Sequence, residues 1–75
     1  MNRKPRLNLD FIKQRRRQLR LTNQEMAEEL SFKNASTYFK YENGTYIFKA
    51  SHLPILADLF QCSMDDFFIF EGANE

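Results

Sequence analysis

The stretch Thr22-Asn23-Gln24-Glu25-Met26-Ala27-Glu28-Glu29-Leu30 predicts a short helix with a well-defined first residue. A threonine followed three residues later by a glutamate is the pattern of a capping box, in which each side chain binds the other residue's backbone N–H. Met26, Ala27 and Leu30 recur at helical spacing and predict the buried side of this helix. The rest of the chain can be divided into elements on either side of it.

A second short helix is predicted over residues 35–43. Asn34 is a suitable N-cap, and Tyr38 and Tyr41 are three residues apart, which places both on the inward side. Asn43-Gly44 predicts the end of the helix, because glycine adopts the left-handed conformation at little steric cost. Two short helices joined by a tight turn predict a helix–turn–helix, a motif whose second helix can lie in the major groove of DNA.

The remaining sequence predicts three more helices around this pair. Residues 1–8 are polar and basic and are expected to form a flexible arm. A helix capped by Asn8 follows, and two further helices are predicted within residues 51–68. We therefore expect an all-α, compact five-helix fold, with a helix–turn–helix domain over residues 9–70 and a C-terminal tail over residues 71–75.

The charges of this 75-residue chain are unevenly distributed. Its 11 basic and 10 acidic residues give a net charge of +1. Residues 1–20 contain eight basic residues and one acidic residue, a net +7, whereas residues 21–75 contain three basic and nine acidic residues, a net −6. A basic block of this kind suits phosphate groups, although a solvated helix face would have the same composition.

Several classes of protein are excluded by composition. The chain has one cysteine, Cys62, and one histidine, so neither an internal disulfide nor a structural zinc site is expected. No apolar run approaches the length of a membrane span. No nucleophile–base arrangement and no glycine-rich phosphate loop is evident, so we expect no enzymatic activity and no cofactor or metal.

Three motifs at defined spacing give the chain a family resemblance over residues 9–70. They are Thr-x-x-Glu-Met-Ala from Thr22, Tyr-Glu-Asn-Gly from Tyr41 and Leu-x-x-Leu-Ala from Leu53. Together they resemble the phage-repressor/Cro-type (lambda-repressor-like) helix–turn–helix family. The chain departs from that pattern at Arg20 and Ser31, where the family usually has glycine.

The resemblance implies roles for particular residues. It implies that Arg16 pairs with Glu42, and that Arg16, Asn23 and Asn43 contact phosphate; Arg15 in the basic block is a further candidate for phosphate contact. The outward positions of the second helix, which relatives use to read base edges, are Ala35, Ser36, Thr37, Phe39 and Lys40. Phe39 is equally consistent with a contact to thymine or sugar and with a protein interface.

The function implied is that of a sequence-specific DNA-binding transcriptional regulator of phage or mobile-element type. Its partner would be a double-stranded DNA operator, bound by a homodimer in the bacterial cytoplasm, on the nucleoid, and not at a membrane. The apolar residues Phe68, Ile69 and Phe70 exceed what a small core can bury and are candidates for the dimer patch. The alternative is an antirepressor that uses the same fold to bind a partner repressor protein.

Overall fold

The computed structural model describes residues 4–71, in which four α-helices pack together and a short two-stranded antiparallel sheet joins the ends of the described chain. The α-helices are α1 (Leu9–Gln18), α2 (Asn23–Glu29), α3 (Ala35–Glu42) and α4 (Leu53–Phe60). The strands are β1 (Lys4–Leu7) and β2 (Phe68–Glu71). Single 3-10 helices precede α4 at Ala50–His52 and β2 at Met64–Phe67.

Each of the first three α-helices begins directly after a residue whose side chain caps it. The Thr22 hydroxyl accepts from the Glu25 backbone N–H at 3.0 Å, and the Thr22 N–H donates to Glu25 Oε1 at 2.8 Å, so the predicted capping box is confirmed. Asn8 Oδ1 accepts from the backbone N–H of Phe11 at 3.1 Å and starts α1. Each cap satisfies a backbone donor that has no partner within its helix, which fixes the first residue of the helix.

The core lies where the helices and the second 3-10 helix meet. Its fully buried side chains come from every α-helix and from the segment before β2; they are Ile12, Met26, Ala27, Tyr38, Leu56, Phe60 and Phe67. A second group of aromatic rings closes the side near the turn between α2 and α3. There Phe32 stacks on Tyr41 with ring centroids 4.5 Å apart, and the ring of His52 stands edge-on to both. These contacts fix α3 relative to the rest of the domain.

The expected fifth α-helix is not confirmed: within residues 4–71 the fold is mostly helical, with four α-helices and a small two-stranded sheet. The Ser63 N–H donates to Asp66 Oδ2 at 3.1 Å, so the predicted capping interaction is present. It begins only the short 3-10 helix Met64–Phe67 and no α-helix. The sequence Phe-Ile-Phe that follows favours strand over helix because aromatic and β-branched side chains lose rotamer freedom in a helix. Residues 68–71 therefore form a strand, with Leu7 opposite Phe68 and Arg6 opposite Ile69.

The same pairing corrects the expected flexible arm. Residues 4–7 form β1 and are tied to β2, and the Asn8 N–H donates to the Phe67 carbonyl at 2.7 Å. Leu7 and Phe68 pack together against the core, which anchors the strand pair to the helices. The described unit therefore begins before residue 9, and Glu71, assigned to the tail, belongs to β2. Residues 1–3 of the arm and 72–75 of the tail lie outside the described residues.

Within residues 4–71, three residues other than glycine adopt the left-handed backbone conformation at helix ends. They are Arg20 (φ 59°), Ser31 (φ 62°) and Gln61 (φ 54°). Arg20 and Ser31 are the two positions at which the chain departs from glycine in the resemblance. An L-residue in this region costs roughly 1–2 kcal/mol because its Cβ approaches the following carbonyl oxygen.

We expect Ser31→Gly to raise the free energy of unfolding by roughly 0.5–1 kcal/mol. The substitution removes the Cβ clash, although glycine's larger entropy in the unfolded chain offsets part of the gain. Urea denaturation followed by circular dichroism measures the change. Ser51→Gly, within the 3-10 helix Ala50–His52, is the matched control and should lower stability. A Ser31→Gly protein no more stable than wild type would contradict the expectation.

Candidate nucleic-acid interface

Helices α2 and α3 form a rigid pair with one side of α3 turned outward. Residues 30–34 connect them, and the Phe32 N–H donates to the Ala27 carbonyl at 2.8 Å across the turn. Ala27 and Tyr38 are fully buried where the two helices meet. Because Tyr38 points inward, Ser36, Phe39 and Lys40 lie on the exposed side of α3.

An open groove of about 530 Å³ runs along the exposed side of α3. Four of the five predicted base-reading residues line it, together with both asparagines predicted to contact phosphate. The lining residues are Asn23, Ala35, Ser36, Phe39, Lys40, Asn43 and Thr45. We call this depression the α3 groove; it brings the start of α2 and the full length of α3 onto one surface.

Thr37, the fifth predicted base-reading residue, is engaged elsewhere. Its hydroxyl donates to Asn34 Oδ1 at 3.0 Å, and its backbone N–H donates to the same oxygen at 2.9 Å. Thr37 therefore helps to cap α3 and does not line the α3 groove. Ser36 and Lys40 are the polar members of the predicted reading set that do.

A smaller depression of about 230 Å³ lies next to the α3 groove and opens toward α1. Phe39 and Asn43 line both depressions, so their side chains form the ridge between them. Lys13 and Asp10 contribute the charges of α1 at this depression. The basic helix α1 is thereby brought beside the outward side of α3.

Sequence reasoning did not select Lys13 or Thr45. Lys13 is one turn before Arg16, so the pairing of Arg16 with α3 was a signal that Lys13 would also face α3. Thr45 lies next to the helix end, where its N–H donates to Asn43 Oδ1 at 2.9 Å. That bond fixes both residues at the C-terminal end of the groove.

Asn23 lies at the other end of the groove, at the first residue of α2. Its Oδ1 is buried and finds no hydrogen-bond donor within residues 4–71. A buried acceptor without a donor is unfavourable in the free protein. The side chain is therefore positioned by the packing around it rather than by a hydrogen bond to Oδ1.

A buried ionic network connects α1 to α3. Arg16 Nε donates to Glu42 Oε2 at 2.7 Å, Arg16 Nη2 donates to Glu42 Oε1 at 3.1 Å, and the Tyr38 hydroxyl donates to Glu42 Oε2 at 2.7 Å. Arg16 Nη1 also donates to the Leu21 carbonyl, just before α2. The Arg16 and Glu42 side chains are only 12% and 3% exposed. The structure thus brings the predicted pair together and uses it to hold three helices at fixed angles.

The network also changes the proton affinities of its members. The hydrogen bond to Glu42 raises the pKa of Arg16, and desolvation together with the Glu42 carboxylate raises the pKa of Tyr38. The network therefore favours the charged form of Arg16 and the neutral form of Tyr38.

Arg15 is placed differently from its predicted role. Its Nε and Nη2 donate to the carbonyl of Phe60 at 3.0 and 2.8 Å, and Nη1 donates to Gln18 at 3.3 Å. Phe60 is the last residue of α4, where helix carbonyls lack partners and a cation is favoured. Arg15 therefore joins α1 to the end of α4, away from the residues that line the α3 groove.

His52 joins the aromatic group behind α3 and is sensitive to pH. Its Nδ1 accepts from the Lys49 N–H at 3.0 Å, so the ring nitrogen acts as the cap of the 3-10 helix. Burial and the charge of Lys49 lower the pKa of His52. The folded protein therefore binds a proton at His52 less readily than the unfolded chain does.

We expect the contribution of His52 to stability to be present above about pH 6.5, the ordinary pKa of histidine, and to decrease as the pH falls below it. In His52→Asn the amide oxygen can accept the same N–H without titrating. The free energy of unfolding, measured by urea denaturation at pH 8 and at pH 5, should therefore decrease more in wild type than in His52→Asn. An equal decrease in the two proteins would contradict the expectation.

The comparisons with known proteins agree with this arrangement. A helix–turn–helix family model matches residues 12–67, more than half of the chain, so the chain belongs to the helix–turn–helix family, Cro/C1 type. This is a family of DNA-binding transcription regulators. No curated protein and no solved structure matches the chain.

Two further features of the described residues bear on other classes of site. No helix within residues 4–71 combines the length and the apolar character that crossing a bilayer requires. In the same residues, no three His, Cys, Asp or Glu side chains come together where they could hold a metal ion.

Proposed function

We propose that this protein is a sequence-specific transcriptional regulator of phage or mobile-element type, which binds an operator with α3 in the major groove. The observation that carries the proposal is the α3 groove, where Ser36 and Lys40 stand outward on a helix held rigidly by the Arg16–Glu42 pair. Exposed hydrogen-bonding side chains on a helix of fixed orientation are what base reading requires.

Hydrogen-bond donors around the groove support binding to the DNA backbone. Lys13 lies at the adjacent depression, which Asp10 and Glu42 also line, and Asn23 and Asn43 stand at opposite ends of the groove. Amides and ammonium groups flanking a reading helix are suited to phosphate oxygens, which fix the register of the helix on the duplex. Arg16 in this proposal acts mainly as the positioning residue of α3, and Arg15 as a clamp on α4.

The test is selection from a random duplex library, followed by fluorescence polarisation of the enriched duplex. The proposal expects enrichment of one sequence and an affinity for it at least about 10³-fold greater than for unrelated duplex at the same salt concentration. Affinity should also fall as salt rises, because phosphate contacts release counterions. Absence of an enriched sequence at low salt would contradict the proposal.

We further propose that two copies associate through β2, so that the two α3 helices meet successive major grooves. The strand β1 contains Pro5 and Arg6, which protect a sheet edge, whereas β2 has the sequence Phe-Ile-Phe-Glu. Phe70 is 51% exposed. An edge strand with an exposed apolar side chain favours antiparallel pairing with the same strand of a second copy, an isologous contact.

We expect Phe70→Glu to convert a dimer into a monomer, because it places two like charges within one small interface. Light scattering after size-exclusion chromatography measures the mass. Met64→Glu is the matched control, since Met64 is 39% exposed but lies outside both strands. The pairing through β2 is contradicted if Phe70→Glu leaves a dimer intact or if the wild-type protein is a monomer at high concentration.

A second candidate function is that of an antirepressor which binds a partner repressor protein. It is favoured by the exposed apolar side chains of the loop after α3, where Ile47 is 83% exposed and Tyr46 is 44% exposed, and by the half-exposed Phe39 on α3. Exposed apolar groups of this kind suit a protein surface. This function predicts that no duplex is enriched and that the protein forms a complex with the repressor of the same phage or element. Ile47→Asp should abolish that complex. Ile55→Asp, at an exposed position of α4, should leave it intact.

A further inference from the structure

The outward side of α3 is half apolar. Of the residues of α3 that line the α3 groove, Ser36 and Lys40 can form hydrogen bonds, whereas Ala35 and Phe39 cannot do so through their side chains. Ala35 and Phe39 are four residues apart, so they stand one above the other on the same face of the helix. Phe39 is 49% exposed and forms the ridge between the two depressions.

Phe39 occupies the centre of the outward face of α3, and the polar residues lie around it. The hydroxyl of Thr37 is taken by the cap of α3, so it does not add to the reading face. The Lys40 ammonium lies 5.5 Å from the centre of the Tyr46 ring, and the Tyr46 N–H donates to the Lys40 carbonyl. The charge of Lys40 is thereby drawn toward the loop at the C-terminal end of the groove.

The thymine C5-methyl group is the apolar group that projects into the major groove of DNA and matches an apolar ridge. The base edges otherwise present mainly hydrogen-bond donors and acceptors there. A phenyl ring pressed against donors and acceptors removes water from them and replaces none of their hydrogen bonds. Against a methyl group the same ring loses nothing and removes apolar surface from water.

We propose that Ala35 and Phe39 read a pyrimidine C5-methyl group, so that the base pair facing Phe39 carries thymine in each half-site. This inference rests on the proposed function and names the chemical group of the DNA that the α3 groove recognises. It assigns sequence discrimination at that position to apolar contact, with Ser36 and Lys40 reading the flanking positions. Cytosine methylated at C5 presents the same group and is accepted in place of thymine.

The experiment uses the duplex enriched from the random library, synthesised with deoxyuridine in place of thymidine at one position at a time. At one position in each half-site, loss of the methyl group should weaken binding about fourfold, the effect of one buried carbon. Replacing that thymine pair by a pair containing 5-methylcytosine should weaken binding less than replacing it by one containing cytosine. Fluorescence polarisation at fixed salt gives each ratio.

Two variants separate direct contact from changes in DNA shape. Phe39→Ala should bind the thymidine and the deoxyuridine duplexes with nearly equal affinity, because the phenyl ring that makes most of the contact with the methyl group is gone and only the small side chain of Ala35 remains. Ile47→Ala is the matched control: it also removes an exposed apolar side chain, but from outside α3, and it should keep the full ratio. A melting temperature close to that of wild type verifies that each variant is folded.

The possible outcomes distinguish this inference from the function on which it rests. An enriched duplex that binds equally well with deoxyuridine at every position overturns the reading of a methyl group and leaves the regulator intact. A ratio that persists undiminished in Phe39→Ala assigns the effect to DNA shape and also overturns it. If no duplex is enriched at low salt, both proposals fail together.

Discussion

Replacing Glu42 with alanine is expected to lower the free energy of unfolding by about 3–5 kcal/mol. The carboxylate accepts two hydrogen bonds from Arg16 and one from Tyr38, and it is 3% exposed. Its removal leaves the Tyr38 hydroxyl and two of the Arg16 nitrogens without their acceptor, and Arg16 then keeps only its hydrogen bond to the Leu21 carbonyl. Since small domains have only about 5–15 kcal/mol of stability, this is a large fraction of the total.

Guanidinium or urea denaturation measures the change, with Glu29→Ala as the matched control. Glu29 is an exposed glutamate at the end of α2, and its removal should change stability by no more than about 0.5 kcal/mol. Replacing the whole network together, as Arg16→Met, Tyr38→Phe and Glu42→Leu, should recover much of the loss because no charge or hydroxyl is then left unpaired. A loss below about 1 kcal/mol in Glu42→Ala would show that the network does not hold the helices.

The second large effect is expected at Lys40. In the proposed regulator, Lys40→Ala should weaken binding to the enriched duplex by about 1–3 kcal/mol and relax the preference at one base pair. Lys13→Ala should behave differently, because Lys13 lies at the adjacent depression and not in the α3 groove. It should weaken all duplexes alike and reduce the slope of log affinity against log salt by about 1.

Polarisation titrations at several salt concentrations separate the two behaviours. Lys49→Ala serves as the control of equal charge, since Lys49 is exposed and lies outside both depressions. It should keep the base preference. If Lys40→Ala lost affinity for every sequence equally and Lys13→Ala changed the base preference, the assignment of α3 as the reading helix would be wrong.

Most of the helical framework could be predicted because its signals are local. The Thr22–Glu25 box, the Asn34 cap and Asn43-Gly44 each involve residues within a few positions of one another, and each operates in the structure. Local physics also explains why Thr37, predicted to read bases, does not line the groove. An asparagine cap binds a backbone N–H three residues on, and here it takes the hydroxyl of Thr37 as well.

The strand pair could not be predicted in the same way. The Phe-Ile-Phe sequence of β2 favours a strand locally, but nothing in the sequence shows that residues 4–7 are its partner, and a two-stranded sheet forms only when both segments pair. The contact of Arg15 with Phe60 depends likewise on where the last turn of α4 falls in space. The Arg16–Glu42 pair is nonlocal too, and it was expected only because the family resemblance supplied it.

The strand pair has a consequence for how this unit can be joined to other proteins. Lys4 lies opposite Glu71, and residues paired across an antiparallel ladder have Cα atoms about 5 Å apart. A segment entering the domain at residue 4 and one leaving it at residue 71 therefore meet at a single point on the surface. The unit can be inserted whole into an exposed loop of a host protein, or closed by a short linker into a ring and reopened between α3 and α4, with little strain on the helices.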